Sequence, residues 1–166
     1  MITKAQSLDN FIDKSLYEKN KGYYQRKMEF GRRGDFITSP GISKLFSEMI
    51  AIWVVSFWEN LNKPEKINLV ELGAGNGELI EVLINTLNKL EIVKDKFKFF
   101  IFEKSVSLKK LQKKKFSKSV KWLDNFDKLP NSPTIFLANE FFDALPIKQF
   151  IKINEDWYEN LSLIHI

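Results

Sequence analysis

The sequence predicts an α/β fold with a largely parallel sheet flanked by helices. Three observations lead to this prediction. Apolar runs alternate with segments of helical periodicity, beginning with the run Ile67–Leu72. Three glycines at alternating positions, Gly73, Gly75 and Gly77, join that run to the helical segment behind it. Polar residues also follow directly after each apolar run of the predicted sheet. Because ligands of parallel sheets bind at the carboxyl ends of the strands, the pattern predicts a site at that edge.

Two helices are predicted ahead of the sheet. Ser7 can cap a short helix with an apolar side. Ser39-Pro40 begins a long helix that runs to about Leu61, since a hydroxyl residue at the cap and proline in the first turn favour a helix start. We expect its apolar and aromatic stripe to pack as core against the sheet. The two helices form an N-terminal helical extension.

The remaining elements follow in order. The pattern predicts helices over 78–90 and 108–116, strands over 67–72, 96–102, 120–123 and 134–138, and a C-terminal hairpin of strands 147–153 and 157–163. A length of 166 residues suits one domain. We expect a helical and substrate-loop region over 1–62, packed on a core over 63–166, within a single structural domain.

Composition narrows the functional classes. The chain has no cysteine, which excludes disulfides and thiolate metal sites, and we expect no metal. The longest apolar run, Met49–Val55, is too short to cross a bilayer, so we expect no membrane insertion. The net charge is +5. Its densest lysine cluster, Lys109–Lys115, is typical of a solvated helix face, so we expect no nucleic-acid partner.

The glycine turn has the spacing Glu71-x-Gly73-x-Gly75-x-Gly77. It resembles motif I of class I S-adenosylmethionine-dependent methyltransferases. That resemblance implies S-adenosyl-L-methionine as the cofactor, with its methionyl end on the turn and its ammonium near the Glu71 carboxylate. The alternative is an ordinary strand–helix turn. The spacing differs from the G-x-G-x-x-G of dinucleotide sites, which disfavours a nicotinamide-linked oxidoreductase.

Polar residues after the next two strands extend the predicted cofactor site. Glu103 follows the second strand and can accept both ribose hydroxyls of a nucleoside. Asp124 and Asn125 follow the third strand, where they can bind an adenine amino group. The alternatives are an exposed surface glutamate at Glu103 and a simple polar turn at Asp124-Asn125.

The acceptor substrate is predicted at the end of the fourth strand. Asn139 and Glu140 follow that strand directly, and Asp143 shares a side with Glu140 if a helical turn comes next. Two carboxylates there suit a cationic acceptor such as arginine, and one of them can take the proton that an attacking guanidinium must lose. The alternative is a capping acid plus a loop acid.

Several longer segments resemble the MidA family, whose mitochondrial member assists assembly of respiratory complex I. The likeness covers nearly all of residues 7–160. It is carried by the segments Gly22-Tyr23-Tyr24, 34–40 (Gly-Asp-Phe-Ile-Thr-Ser-Pro), 69–73 (Leu-Val-Glu-Leu-Gly) and 138–146 (Ala-Asn-Glu-Phe-Phe-Asp-Ala-Leu-Pro). The resemblance implies a Rossmann-like class I methyltransferase fold and a protein arginine methyltransferase that acts on a protein substrate, a complex I subunit in mitochondria. It also implies a substrate loop formed by Gly34, Asp35, Thr38 and Ser39.

The chain departs from the family pattern at two positions. Gly41 stands where the family usually has an acid after the Ser-Pro pair, and Glu78 stands where its glycine turn usually ends in a small hydroxyl residue. Family members also continue beyond the hairpin, and Leu161–Ile166 does not fit them, so we expect a C-terminally truncated fragment. A second hypothesis is a non-catalytic assembly factor that binds a partner through this fold. We expect a cytoplasmic protein in a bacterium or a matrix protein in a mitochondrion, and the sequence leaves a homodimer open.

Overall fold

The computed structural model describes residues 3–25, 39–116 and 118–165. The strands are β1 (Thr3–Ser7), β2 (Ile67–Leu72), β3 (Phe97–Phe102), β4 (Val120–Leu123), β5 (Thr134–Leu137), β6 (Phe150–Ile153), β7 (Asp156–Glu159) and β8 (Leu161–His165). The α-helices are α1 (Leu8–Tyr17), α2 (Ser39–Ile42), α3 (Lys44–Asn60), α4 (Glu78–Leu87) and α5 (Val106–Phe116). Within the described ranges, no helix combines the length and the apolar character that crossing a bilayer requires.

The chain divides into two compact units. One contains residues 1–28 together with 141–166, and the other contains residues 29–140. The second unit holds the glycine turn and all four strands of the predicted parallel sheet. The division predicted at residue 62 stays a prediction.

The larger unit is built on a four-stranded parallel sheet with the order β4-β3-β2-β5. Strand β2 lies inside the sheet and is buried at all six positions, as expected for an apolar run covered on both faces. Its register places Glu71 between Ile101 of β3 and Leu137 of β5. The α/β prediction is therefore confirmed, and the carboxyl ends of the four strands share one edge.

Helices α3 and α4 join one face of this sheet in a common apolar core. Leu69 and Ile101 of the sheet are fully buried there with Val54 of α3 and Leu83 of α4. Burial of each such side chain contributes about 1.5–3 kcal/mol before entropy is counted. The core thus fixes the positions of β2 and of the helix that follows the glycine turn.

The long helix predicted from Ser39 is interrupted. Ser43 has extended backbone angles (φ −141°, ψ 118°) and separates α2 from α3. The prediction that the aromatic stripe of α3 packs as core is wrong for Trp53 and Phe57, which are 50% and 40% exposed and contact each other with ring centroids 4.1 Å apart. The buried side of the helix carries small residues in its first half, such as Ala51. Trp53 lies about 200° around the helix axis from Ala51 and therefore on the opposite side. Trp58 is buried as expected and donates its indole N–H to the Pro64 carbonyl oxygen at 2.9 Å.

The smaller unit contains α1 and two antiparallel strand pairs. The predicted hairpin is confirmed with shorter strands, β6 and β7, joined by a turn in which Asn154 has a φ of 57°. Strand β1 pairs with β8, and this pair was not predicted. Helix α1 is tied to the same unit by the Tyr17 hydroxyl, which donates to the Ala144 carbonyl oxygen at 3.1 Å.

Candidate functional site

The glycine turn joins β2 to α4 in the predicted strand–turn–helix order. Gly73, Gly75 and Gly77 have φ angles of 67°, 55° and 78°, a region that side chains disfavour. The Gly73 N–H donates to the Phe102 carbonyl oxygen at 2.9 Å, which ties the turn to the end of β3. The turn therefore lacks side chains at its glycine positions, where two strands end.

Gly77 is required for a second reason. A Cβ at this position would lie 2.5 Å from the ring of Phe116, a buried residue at the end of α5. The absence of a side chain thus lets α5 pack directly against the turn.

Glu71 lies in the interior next to the turn. It is 4% exposed, and burial raises the pKa of its carboxyl group to about 8, although the Ile80 backbone N–H donates to this group and opposes the shift. Among the described residues its Oε2 has no hydrogen-bond partner. Because this oxygen is buried, the surrounding residues would have to move before a ligand could donate a hydrogen bond to it. The predicted contact between Glu71 and the ammonium of the cofactor therefore stays a prediction.

Glu103 follows β3 at the same edge and is also held in place. It is only 8% exposed, which rules out the alternative of an exposed surface glutamate. Its Oε1 accepts the Ser105 N–H at 2.9 Å, and its Oε2 accepts the side-chain amide of Gln112 at 3.1 Å. Burial raises the pKa of this carboxyl, and these two donors oppose the rise. The fixed position of this carboxylate is compatible with ribose binding by Glu103, which stays a prediction.

Sequence reasoning missed Gln112. This residue of α5 is fully buried, and its Nε2 donates both to the Gly75 carbonyl oxygen at 2.8 Å and to Glu103. Its Oε1 accepts the indole N–H of Trp122, in β4, at 3.0 Å. A signal was present in the sequence, because Gln112 falls midway between the apolar residues Leu108 and Phe116 at a spacing of four on the inward side of the helix.

The residues after β4 face solvent. Asp124 is exposed and forms an ion pair with Lys109 of α5, whose Nζ lies 2.8 Å from Oδ1. The hydrogen bond from Lys109 lowers the pKa of Asp124. Asn125 is also exposed, with extended backbone angles. Their predicted contact with adenine stays a prediction.

The predicted site for the acceptor substrate begins directly after β5. Asn139 is half-buried, and Glu140 is exposed with a left-handed φ of 49°, which is uncommon for a residue other than glycine. Asp143 belongs to the smaller unit, in a 3₁₀ turn over Phe142–Ala144, and its predicted common side with Glu140 stays a prediction. Of the predicted substrate loop, Ser39 is the first residue of α2, whereas Gly34, Asp35 and Thr38 lie outside the described residues.

The two departures from the family pattern meet in space. A Cβ at Gly41 would lie 2.6 Å from Oε2 of Glu78, so the missing side chain on α2 makes room for the carboxylate at the start of α4. Glu78 therefore lies against the α2 backbone, beside the first turn of the helix that follows the glycines.

A family model described as "Putative S-adenosyl-L-methionine-dependent methyltransferase" matches residues 49–165, a span that includes the glycine turn, Glu103 and Glu140. The chain belongs to this family. Its cofactor is accordingly S-adenosyl-L-methionine, and the fold found here is the Rossmann-like fold expected from the sequence.

Curated relatives give the same assignment. The chain is 31% identical over 180 positions to "Protein arginine methyltransferase NDUFAF7, mitochondrial" of Xenopus laevis, with 93% of this chain and 41% of that protein covered. It is 32% identical to the Drosophila melanogaster homologue, with 91% and 40% covered, and 29% identical to the Homo sapiens protein, with 90% and 40% covered. The chain thus spans about two fifths of the length of these relatives.

The donor set of this methyltransferase family member fits its cofactor. Each oxygen of the Glu103 carboxylate accepts one protein donor and can accept another from a ribose hydroxyl. The turn has glycine at three of its positions, 73, 75 and 77, and the N-terminus of helix α4 lies beside it, where Asn76 Oδ1 accepts the Glu78 N–H at 3.3 Å. Glu71 lies buried beside the turn, and because burial raises the pKa of its carboxyl group to about 8, the group would have to lose its proton to pair with the ammonium of the cofactor.

Proposed function

We propose that the protein transfers the methyl group of S-adenosyl-L-methionine to an arginine side chain of a protein substrate. The observation that carries this proposal is the approach of Glu103 to the glycine turn, with one side chain, Gln112, touching both. Such an arrangement suits a ligand with a ribose at one end and an amino-acid group at the other. Its relatives are named as protein arginine methyltransferases, which supports arginine as the acceptor.

The acceptor would enter at the end of β5. This strand pairs with β2, so Asn139 and Glu140 follow at the edge where the glycine turn begins. The bound cofactor supplies a methyl group on a sulfonium, which the guanidinium nitrogen takes with its own electron pair as the thioether leaves. Positioning supplies much of the rate of such a displacement. Because a guanidinium has a pKa above about 12, it must also lose a proton, which the Glu140 carboxylate can accept.

The MidA resemblance further supports a subunit of respiratory complex I as the substrate. We propose that the protein acts in the mitochondrial matrix if its cell is eukaryotic and in the cytoplasm if its cell is bacterial. The decisive assay incubates the purified protein with isolated complex I subunits and cofactor carrying a radioactive methyl group. Methylarginine in the hydrolysed product is the expected result. Label found on lysine or on no residue would contradict the proposal.

Substitution of Glu140 should separate the rate of methyl transfer from the affinity for the cofactor. We expect Glu140→Gln to lower kcat about a hundredfold, because a general base typically contributes that much or more, while cofactor affinity stays unchanged. Initial rates of methyl transfer and calorimetric titration with the cofactor measure the two quantities. The matched control is Glu91→Gln, which removes an exposed carboxylate ahead of β3, at the opposite edge of the sheet. Equal rates for Glu140→Gln and the control would exclude Glu140 as the base.

A non-catalytic assembly factor is the second candidate. It is favoured by the exposed aromatic pair of α3, Trp53 and Phe57, which could contact a partner. Under this candidate, Glu140→Ala would leave complex I assembly intact in cells that lack the natural protein. A loss of assembly with Glu140→Ala, together with normal amounts of the variant, would favour the enzyme.

A further inference from the structure

Gln112 is a buried polar residue with every bonding group in use. A buried amide without partners is costly, so its side chain needs partners in the interior. Its two N–H groups reach the Gly75 carbonyl oxygen and the Glu103 carboxylate, and its oxygen receives the Trp122 indole N–H. Both N–H groups of the amide are therefore in use, and because the residue is fully buried, the side chain supports other groups of the protein.

The orientation of this amide is determined by its partners. An indole N–H can only donate, whereas a carbonyl oxygen and a carboxylate can only accept. With Trp122 on one side, the nitrogen of Gln112 must face Gly75 and Glu103. The reverse orientation would place the amide oxygen against two acceptors and would leave the indole N–H facing another N–H group.

The two groups that Gln112 joins come from different elements. Gly75 lies in the turn between β2 and α4, where the backbone has left-handed angles and no side chain to hold it. Glu103 lies after β3, and its second oxygen is held by the Ser105 N–H. In addition to the strand pairing and the Gly73 hydrogen bond to Phe102, the amide of Gln112 links the middle of the turn to this carboxylate.

We propose that Gln112 is a positioning residue for cofactor binding, whose amide holds the Gly75 carbonyl and the Glu103 carboxylate at a fixed spacing. The turn and the acid can then meet the methionyl and ribose parts of one ligand without first being ordered by it. Such preorganisation increases affinity because less freedom is lost on binding. The inference rests on the proposed function, since it takes the turn and Glu103 as the two ends of one cofactor site.

A double-mutant cycle tests this role. The variants are Gln112→Met, Glu103→Ala and their combination, and the measured quantity is the Kd for S-adenosyl-L-methionine by calorimetry. We expect Gln112→Met to raise the Kd about tenfold, in line with the loss of hydrogen bonds to a charged group. In the Glu103→Ala background the same change should raise the Kd less than about twofold, because a residue that acts through Glu103 has little left to position. Equal effects in both backgrounds would overturn the proposal.

Leu108→Ala is the control for a purely structural role. Leu108 is buried on the same side of α5, and its side chain has no polar group that could join the hydrogen bonds to Gly75 and Glu103. We expect this variant to lower the melting temperature at least as much as Gln112→Met while leaving the Kd unchanged below that temperature. A Kd raised equally by both variants would show that Gln112 acts only through stability and would overturn the proposal.

Two further variants test the geometry itself. Trp122→Phe removes the indole donor but keeps the amide, so we expect a smaller rise in Kd than with Gln112→Met. Gln112→Glu places a second carboxylate against Glu103 and the Gly75 carbonyl, so we expect a larger rise. The opposite ranking would contradict the assigned orientation. If the wild-type protein binds no cofactor, the proposed function and this inference both fail; if it binds and the cycle is additive, only the inference fails.

Discussion

The Gly77→Ala variant is expected to be less stable than the wild-type protein by about 2–4 kcal/mol, since two costs add. Gly77 has a φ of 78°, which a residue with a Cβ adopts only with strain. The added methyl group would also lie 2.5 Å from the Phe116 ring, so α5 or the ring must move. Denaturant unfolding of both proteins measures the difference in the free energy of unfolding.

A second substitution separates these two costs. Phe116→Leu shortens the side chain that the new methyl group would meet, so the double variant should be more stable than the sum of the single effects predicts. The backbone strain at position 77 is the same in Gly77→Ala and in the double variant, so the difference between them reports the contact with the ring. Additive effects of the two substitutions would show that the turn and α5 are not in the tight contact described here.

The Glu71→Gln variant is expected to change how stability depends on pH. Burial raises the pKa of Glu71 to about 8, so the folded protein keeps a proton there that the unfolded chain loses above about 4.5. The stability associated with this proton is fully present below the unfolded pKa and is lost as the pH rises toward 8, by up to about 1.4 kcal/mol per pH unit. Glutamine stays neutral throughout, so the variant should lack this loss and exceed the wild-type stability at pH 8 and above.

The measurement is the free energy of unfolding at several pH values between 5 and 9 for both proteins. Taking the difference between them cancels the groups that titrate in both proteins. Glu91→Gln serves as the control for replacing a carboxylate by an amide, because the Glu91 side chain is exposed and its ion pair with Lys94 is screened by solvent. Parallel curves for wild type and Glu71→Gln would contradict a buried, protonated Glu71.

The strands of the parallel sheet were predictable because their residues identify them locally. Strand β2 matched the expected span, and β3, β4 and β5 differed from it by at most one residue. Their apolar runs are short and are bounded by polar or glycine residues. Such a run is typical of a strand that is buried on both faces of a parallel sheet. The glycine spacing likewise predicted the turn, since three left-handed φ angles in so short a span require glycine.

Elements that depend on distant contacts were not predictable in this way. Strand β1 reads Thr-Lys-Ala-Gln-Ser, without an apolar run, and exists through its pairing with β8 at the other end of the chain. In the same way, the periodicity of α3 did not reveal which side faces the core. Small residues allow the close approach there, so the side with Ala51 is buried and Trp53 is left exposed.

The sequence predicted the charged residues and the glycines of the site, but it did not predict the hydrogen bonds from Gln112 that hold them in place. The position of Glu103 after a strand indicated its place at the sheet edge, and its burial and fixed carboxylate agree with that prediction. The support from Gln112 depends on the packing of α5 against the turn, which no local pattern specifies. The near-complete burial of Glu71 likewise follows from the helices that cover β2 and was not expected from its spacing to Gly73.

A crystal structure of the protein with S-adenosylhomocysteine would show directly whether Glu103 and the glycine turn bind the two ends of one cofactor. We expect both ribose hydroxyls within hydrogen-bond distance of the Glu103 carboxylate and the amino-acid end of the ligand over Gly73–Gly77. A ligand bound elsewhere, or one whose ribose points away from Glu103, would contradict this expectation.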